Sequence, residues 1–290
     1  MNTAITVIVP IFKHWHLMDV FFEKMEQQTL PKSLWELVIV DNGSPEVPLE
    51  NDLPGFAKVL VCDKPGSYAA RNVGIKCAKG ELLVFTDADC QPDPDWLKVH
   101  WAEYKANGDQ ILNAGAVKVT KLTKGDPNEY ELYDIFLGIP QKRYVTSRGY
   151  AVTANLGIPA EVFNKAGVFD DSRFSGGDAE YCKRANEKGF KLRYADAAVV
   201  LHPARSSWSE LETKARRVKG GQIKNGSYTR RFGFFLKSFL YPLLAILKVL
   251  KSRISLSEKM RIIKVVIKLG VVEVLEVIGL LIGLKKPERR

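Results

Sequence analysis

Four short apolar runs recur in the first ninety residues, and each is cut off where a strand could go no further. They are ITVIV at 5–9, stopped by Pro10, and LVIV at 37–40, stopped by Asp41-Asn42-Gly43-Ser44. KVLVC at 58–62 follows, and then LLVF at 82–85, which runs through Thr86 into Asp87-Ala88-Asp89 and breaks on Pro92 and Pro94. Runs this short and this apolar predict strands buried on both faces, and proline lacks the donor that would extend them. Between them, Leu17, Val20, Phe21 and Met25 stand at helical spacing, and SYAARNVGIKCAK at 67–79 predicts a helix with Ser67 as N-cap. Strand alternating with helix constrains the chain to an α/β fold: a Rossmann-like, mostly parallel central sheet flanked by helices. Past residue 90 the pattern loosens. Helices are predicted at 95–107, 161–165 and 179–188, strands at 114–119 and 190–201, and a substrate-facing loop region at 121–150.

Asp41 closes one buried strand, and Asp87 and Asp89 follow another. In a parallel sheet all three emerge at the carboxyl edge, where open α/β sheets bind ligands. Asp41 alone is equally explained as a turn residue, since Asp-Asn-Gly-Ser is good turn sequence. A turn needs only one aspartate, however. Two carboxylates one residue apart point to a hard divalent cation with oxygen ligands, which would in turn hold a phosphate-bearing ligand. Asp178 follows Gly176-Gly177 and is either the N-cap of the next helix or a base that two glycines allow an acceptor to approach.

VIVPIFKH, VIVDNGS, GSYAARNVGIKCAKGELLVFTDADC and SGGDAEYCKRANEKGF, in this order, resemble a family 2 glycosyltransferase of GT-A fold over roughly residues 4–220. The resemblance implies inverting transfer of a sugar from a nucleotide donor, most often a UDP-sugar, to an acceptor hydroxyl. It implies that Asp87 and Asp89 are the DxD ligands of Mn²⁺ or Mg²⁺, with Asp87 also on the nucleotide side, and that His202, after the last strand, is a third ligand. It places Pro10, Phe12, Asp41, Asn42, Arg71 and Arg217 around the nucleotide and diphosphate, with Arg216 sharing the expectation for Arg217. Asp178 is the implied catalytic base. Two departures stand out: Lys13 replaces the usual asparagine, and Gly177-Asp178 replaces the usual Glu-Asp pair. The implied division is a catalytic domain at 1–220, with a nucleotide-sugar half at 1–110 and an acceptor half at 111–220, and a helical tail at 221–290.

The net charge of +10 is unevenly placed. Residues 1–202 carry 23 Lys+Arg against 27 Asp+Glu, and residues 203–290 carry 20 against 6. A basic tail binds nucleic acid or an anionic membrane, and one this rich in Leu, Ile and Val predicts the membrane surface and no nucleic-acid partner. Arg230, Arg231, Lys237, Lys248, Lys251 and Arg253 flank or interrupt its first apolar run, and Lys264, Lys268, Glu273 and Glu276 punctuate the second, so neither is expected to span. Four cysteines without paired spacing predict reduced thiols, and the N-terminus enters a strand without a signal-like region. These features together predict a cytoplasmic enzyme peripheral on the inner face of the cell membrane, acting on a glycan or lipid-linked acceptor. Two competing readings are a nucleotidyltransferase, whose Gly-rich loop PIFKHWH lacks, and a catalytically silent nucleotide-sugar-binding or scaffold protein, against which the joint retention of Asp87, Asp89 and Asp178 speaks.

Overall fold

The computed structural model describes residues 3–173, 175–224 and 228–287; the side chains of Glu50, Tyr228 and Arg230 fall outside the description, and with them the expectation for Arg230. The chain divides into two compact units. One comprises residues 1–118, 140–171 and 177–202, and the other residues 119–139, 172–176 and 203–290. Residues 203–220, grouped with the catalytic half on sequence, therefore pack with the C-terminal helices.

The first unit is built on a sheet of eight strands in the order β3-β2-β1-β4-β7-β6-β8-β5. These are β1 Ile5–Ile11, β2 Trp35–Asp41, β3 Ala57–Val61, β4 Leu82–Thr86, β5 Gln91–Pro92, β6 Ile111–Thr120, β7 Asn155–Pro159 and β8 Lys191–Pro203. The four apolar runs form the parallel part, β3-β2-β1-β4, with Ile11 opposite Asp41 and Ile8 opposite Phe85. All five residues of β4 are buried, as a strand covered on both faces requires. Beyond β4 the direction reverses: β7 is antiparallel to β4, β6 to β7 and β5 to β8. The sheet is thus mixed, and the parallel pattern of the first ninety residues describes one half of it. Helices α1 Met18–Glu26, α2 Ser67–Cys77, α3 Trp96–Asn107, α5 Gln141–Arg148, α6 Ala160–Ala166 and α7 Gly177–Glu187 complete the unit, and α4 Glu129–Leu137 belongs to the second. Phe85, Phe163, Phe169, Tyr181 and Phe190 form an aromatic cluster in the core, each worth roughly 1.5–3 kcal/mol when fully buried.

Ser67 is not the N-cap of α2. The chain enters that helix through Gly66 at φ 130°, with no side-chain capping bond. Gly66 N–H donates to Asn42 Oδ1 at 2.6 Å, so a neighbouring loop fixes the entry and only glycine adopts the conformation comfortably.

The second unit is helical: α4, α8 Trp208–Lys224, α9 Tyr228–Leu250 and α10 Leu256–Leu281. A Ser255/Glu258 capping box starts α10. Several charges that punctuate its sequence are internal partners. Glu276, 1% exposed, accepts from Arg216 and Lys285, each at 2.6 Å. Glu273 pairs with Lys219 at 3.0 Å, and Lys268 sits 3.7 Å over the Trp208 ring. Asp134, fully buried, accepts from Arg205 at 2.8 Å and Lys214 at 3.3 Å. The apolar face of α9 has no such cover: Phe232, Leu236, Leu243 and Leu247 are more than half exposed. Although Lys237 and Lys248 interrupt it, residues 231–250 are, among the described residues, the one helix long and apolar enough to cross a membrane by length and composition, with 11% of its apolar window buried.

Candidate active site

Buried β4 runs out at Thr86, whose hydroxyl donates to Ala154 O at 2.9 Å. Asp87 to Cys90 then form a tight turn, closed by Cys90 N–H to Asp87 O at 3.0 Å. The turn leads into β5, and Gln91 pairs with Leu201 on β8, the residue before His202. This short antiparallel pairing brings a histidine more than a hundred residues away to the two aspartates. One ligand atom each from Asp87, Asp89 and His202 all lie within 4.8 Å of one another. Asp89 Oδ1 is buried and has no hydrogen-bond partner. Buried polar atoms are rarely left so, and two carboxylates with an imidazole suit a divalent cation such as Mn²⁺ or Mg²⁺. The residues fit the ion that the DxD sequence implies.

Arg71, on α2 and 3% exposed, donates to Asp87 Oδ1 at 2.6 Å. Its Nε is buried without a partner. A guanidinium fixed at one end by a carboxylate, with a second donor unsatisfied, suits an anionic ligand.

Asp178 lies in the first turn of α7. Its carboxylate accepts from Thr153 Oγ1 at 3.2 Å and from Thr153 N at 3.4 Å. The phenol of Tyr68 accepts from Gly177 N–H at 2.9 Å and Asp178 N–H at 3.4 Å, orienting that turn. A side chain on residue 177 would begin 2.6 Å from the Tyr68 ring, which explains why this position is glycine. Burial raises the Asp178 carboxyl above the ordinary carboxylate range; Arg71 opposes the shift and Asp87 adds to it. The base candidate, the guanidinium and the DxD aspartate therefore feel one another's charge. Tyr68 is not singled out by sequence; its one signal is an aromatic residue in the first turn of GSYAARN.

Asp41 and Asn42 reach the same edge of the sheet, but their polar atoms are engaged in the surrounding loops. Asp41, 1% exposed, accepts from Gly43 N–H and Ser44 N–H through Oδ1 and from Trp15 Nε1 through Oδ2, each at 2.9 Å. Asn42 Nδ2 donates to Cys62 O and Lys64 O, each at 2.8 Å. The turn role weighed for Asp41 is the one its geometry displays. Pro10 lies in β1 opposite Val40, and half-buried Phe12 follows the strand. Lys13 stacks over Phe12 at 5.0 Å and takes φ 61°, unusual outside glycine; its N–H donates to Ser44 Oγ at 2.8 Å. Arg216 is engaged by Glu212 and Glu276. Arg217 lies on α8 in the second unit.

The profile of the family described as Glycosyl transferase family 2 matches residues 6–165. The chain is 33% identical over 226 residues to Glycosyltransferase AglE of Haloferax volcanii, covering 76% of this chain and 73% of that protein. It is 26% identical over 181 residues to the Pre-mycofactocin glycosyltransferase of Mycobacterium tuberculosis, covering 59% of this chain but 38% of that longer one. Among solved structures, S. aureus TarS 1-349 in complex with UDP-GlcNAc superposes with a TM-score of 0.54 at 18% identity, covering 92% of this chain and 72% of that one; at this identity the likeness concerns the fold.

Proposed function

As a member of glycosyl transferase family 2, this chain is a glycosyltransferase, and we propose that it transfers a sugar from a UDP-sugar to an acceptor hydroxyl by a single, inverting displacement. The observation that carries this reading is the convergence of Asp87, Asp89 and His202 beside Arg71, with Asp178 in electrostatic contact. The choice of UDP is supported by TarS, which shares the fold and was solved with UDP-GlcNAc bound.

Asp87, Asp89 and His202 would hold a divalent cation, which when bound neutralises the diphosphate as it leaves. Arg71 Nε supplies a further donor to that diphosphate. Pro10 and Phe12 form the wall against the base, and Asp41 and Asn42 hold the loops that shape it. Asp178 takes the proton from the acceptor hydroxyl, and its raised affinity for protons suits that task. Thr153 and Tyr68 fix its direction.

The acceptor is a glycan or lipid-linked sugar, and the enzyme works as a peripheral protein at the inner face of the cell membrane. The exposed apolar face of α9 and its flanking cations support both assignments. The test is UDP release from a panel of UDP-sugars with Mn²⁺. Release should be abolished by EDTA and by Asp89→Ala; full activity in either would overturn the metal role, and no release from any donor would overturn the UDP assignment.

A further inference from the structure

On the reading of Asp178 as the acceptor-side base, we propose that Gln141 is a positioning residue for the transfer: its buried amide holds residues 151–155, the segment that sets where the Asp178 carboxylate stands relative to the turn of Asp87 and Asp89.

The segment comes first. Residues 151–154 belong to no strand or helix and lead into β7. No ladder fixes such a stretch, and its buried backbone groups must find partners elsewhere. Here they find side chains. Ala154 O accepts from Thr86 Oγ1 at 2.9 Å, and Thr86 is the residue before Asp87. Thr153 donates to the Asp178 carboxylate, through Oγ1 at 3.2 Å and through N–H at 3.4 Å. One segment therefore bonds both the end of β4, which leads into the proposed metal ligands, and the proposed base. Its far end is anchored by the Asn155 side chain, which accepts from Trp96 Nε1 at 2.9 Å and donates to Ala116 O and Ala198 O, each at 2.8 Å.

The second observation is what holds the near end. Gln141, 2% exposed, opens α5. Its Nε2 donates to Val152 O at 3.3 Å and to Asn155 O at 3.1 Å, and its Oε1 accepts from Val152 N–H at 2.9 Å. The amide thus grips the backbone on both sides of Thr153. The Cys182 thiol, 3.9 Å from Ala151 O, is a weak donor and a lesser hold. Both Thr153 bonds to Asp178 are long for hydrogen bonds, so a small shift of the segment breaks them.

The charge state of Asp178 reports that shift. Burial raises its carboxyl, Arg71 opposes, Asp87 adds to the rise, and hydrogen bonds from Tyr68 and Thr153 lower it. Tyr150 and Cys182 feel the same carboxylate. Loosening Thr153 removes one stabiliser of the ionised form, so the carboxyl should titrate at higher pH. A mere loss of folding stability would leave it where it is.

The test compares wild type with Gln141→Met, which keeps the shape and loses the amide, and with Thr6→Val as control. Thr6, fully buried near the start of β1, donates to Glu36 Oε1 at 2.7 Å and accepts from Gly80 N–H at 2.9 Å and Lys79 N–H at 3.2 Å, away from the strand ends that carry Asp41 and Asp87. Rates are read as UDP release, with Mn²⁺ and water as acceptor, from the UDP-sugar that wild type hydrolyses fastest. Gln141→Met should lower kcat roughly ten- to hundredfold with donor KM and UDP affinity unchanged. The Asp178 carboxyl, followed by carbon-13 NMR of aspartate-labelled protein and assigned with Asp178→Asn, should titrate at higher pH, and the acid limb of kcat should move with it. Thr6→Val should lower the melting temperature without either change. Thr153→Val should reproduce Gln141→Met, and the double variant should lose less than the product of the two, as residues acting through one another do. If Gln141→Met does not fold, Gln141→Asn, whose amide is drawn back by one methylene, takes its place. An unmoved Asp178 titration, an equal fall of kcat in Thr6→Val, or multiplicative effects at 141 and 153 would overturn the role. No UDP release by wild type from any donor would instead fell the donor assignment, and the titration, which needs no donor, would then decide on Gln141 alone.

Discussion

Asp178 is the residue on which chemistry and stability pull in opposite directions. As the proposed base it must be ionised, whereas burial favours its protonated form. The folded value lies above the unfolded one. Its contribution to stability is therefore full below the ordinary value of 3.8 and is lost as pH rises through the higher folded value. Two outcomes follow. The acid limb of the pH–rate profile should fall above 3.8, with activity lost as pH drops through it. Asp178→Asn should cut turnover by about 10²- to 10⁴-fold, leave UDP binding intact, and raise the melting temperature at neutral pH but not at low pH. Transfer rates and melting curves across pH check both, and lost UDP affinity with unchanged chemistry would count against the role. Tyr68 holds the turn that carries the proposed base. Tyr68→Phe removes the acceptor for Gly177 N–H and Asp178 N–H, so kcat should fall while the KM for donor stays put.

At the scale of elements, the helices of the second unit are locked by buried charge and by one close approach. Burial alone would raise the Asp134 carboxyl, but Lys214 and Arg205 hold it below the ordinary carboxylate value. Removing the carboxylate with Asp134→Asn leaves two cations facing a buried site. Breaking such a pair typically costs about 3–5 kcal/mol, measurable as a lower urea midpoint. Gly270 on α10 lies against Pro242 on α9, where an added Cβ would meet the ring at 2.8 Å. Gly270→Leu should push the two helices apart and destabilise by roughly 1–3 kcal/mol, read in the same titration. Serine at 270 should cost less, because the smaller side chain needs a smaller displacement.

For the whole molecule, the question is what covers α9. Its exposed leucines and phenylalanines each gain roughly 1.5–3 kcal/mol on full burial, and cations near an anionic leaflet add about 1 kcal/mol each. The full chain should float with phosphatidylglycerol vesicles at low salt. A variant carrying Leu236→Gln, Leu243→Gln and Leu247→Gln should remain in the soluble fraction. Equal recovery of the two would remove the membrane surface from the proposal, and resistance of wild type to alkaline carbonate would show that residues 231–250 cross the bilayer instead of lying on it.

Much of the fold was determined by sequence because its causes are local. Buried parallel strands must be apolar throughout, so ITVIV, LVIV, KVLVC and LLVF announce themselves, and Asp41, Asp87 and Asp89 at strand ends follow from where each run stops. The antiparallel half is marked less fully: the strands predicted at 114–119 and 190–201 are β6 and β8, but the short β7 went unannounced, and their order depends on pairings between distant segments. The same limit applied to the site. Asp87 and Asp89 are two residues apart and legible as a pair, but the place of His202 beside them rests on the register of Gln91 against Leu201. Nothing near Tyr68 in sequence says that its hydroxyl will meet residue 177, and only the structure explains why that residue is glycine. In the tail, composition identified the apolar and basic character, but Glu273 and Glu276 read as barriers to insertion until packing paired them with Lys219 and Arg216. Sequence records what each residue would rather touch; which partner it finds is decided by chain geometry over tens to hundreds of residues.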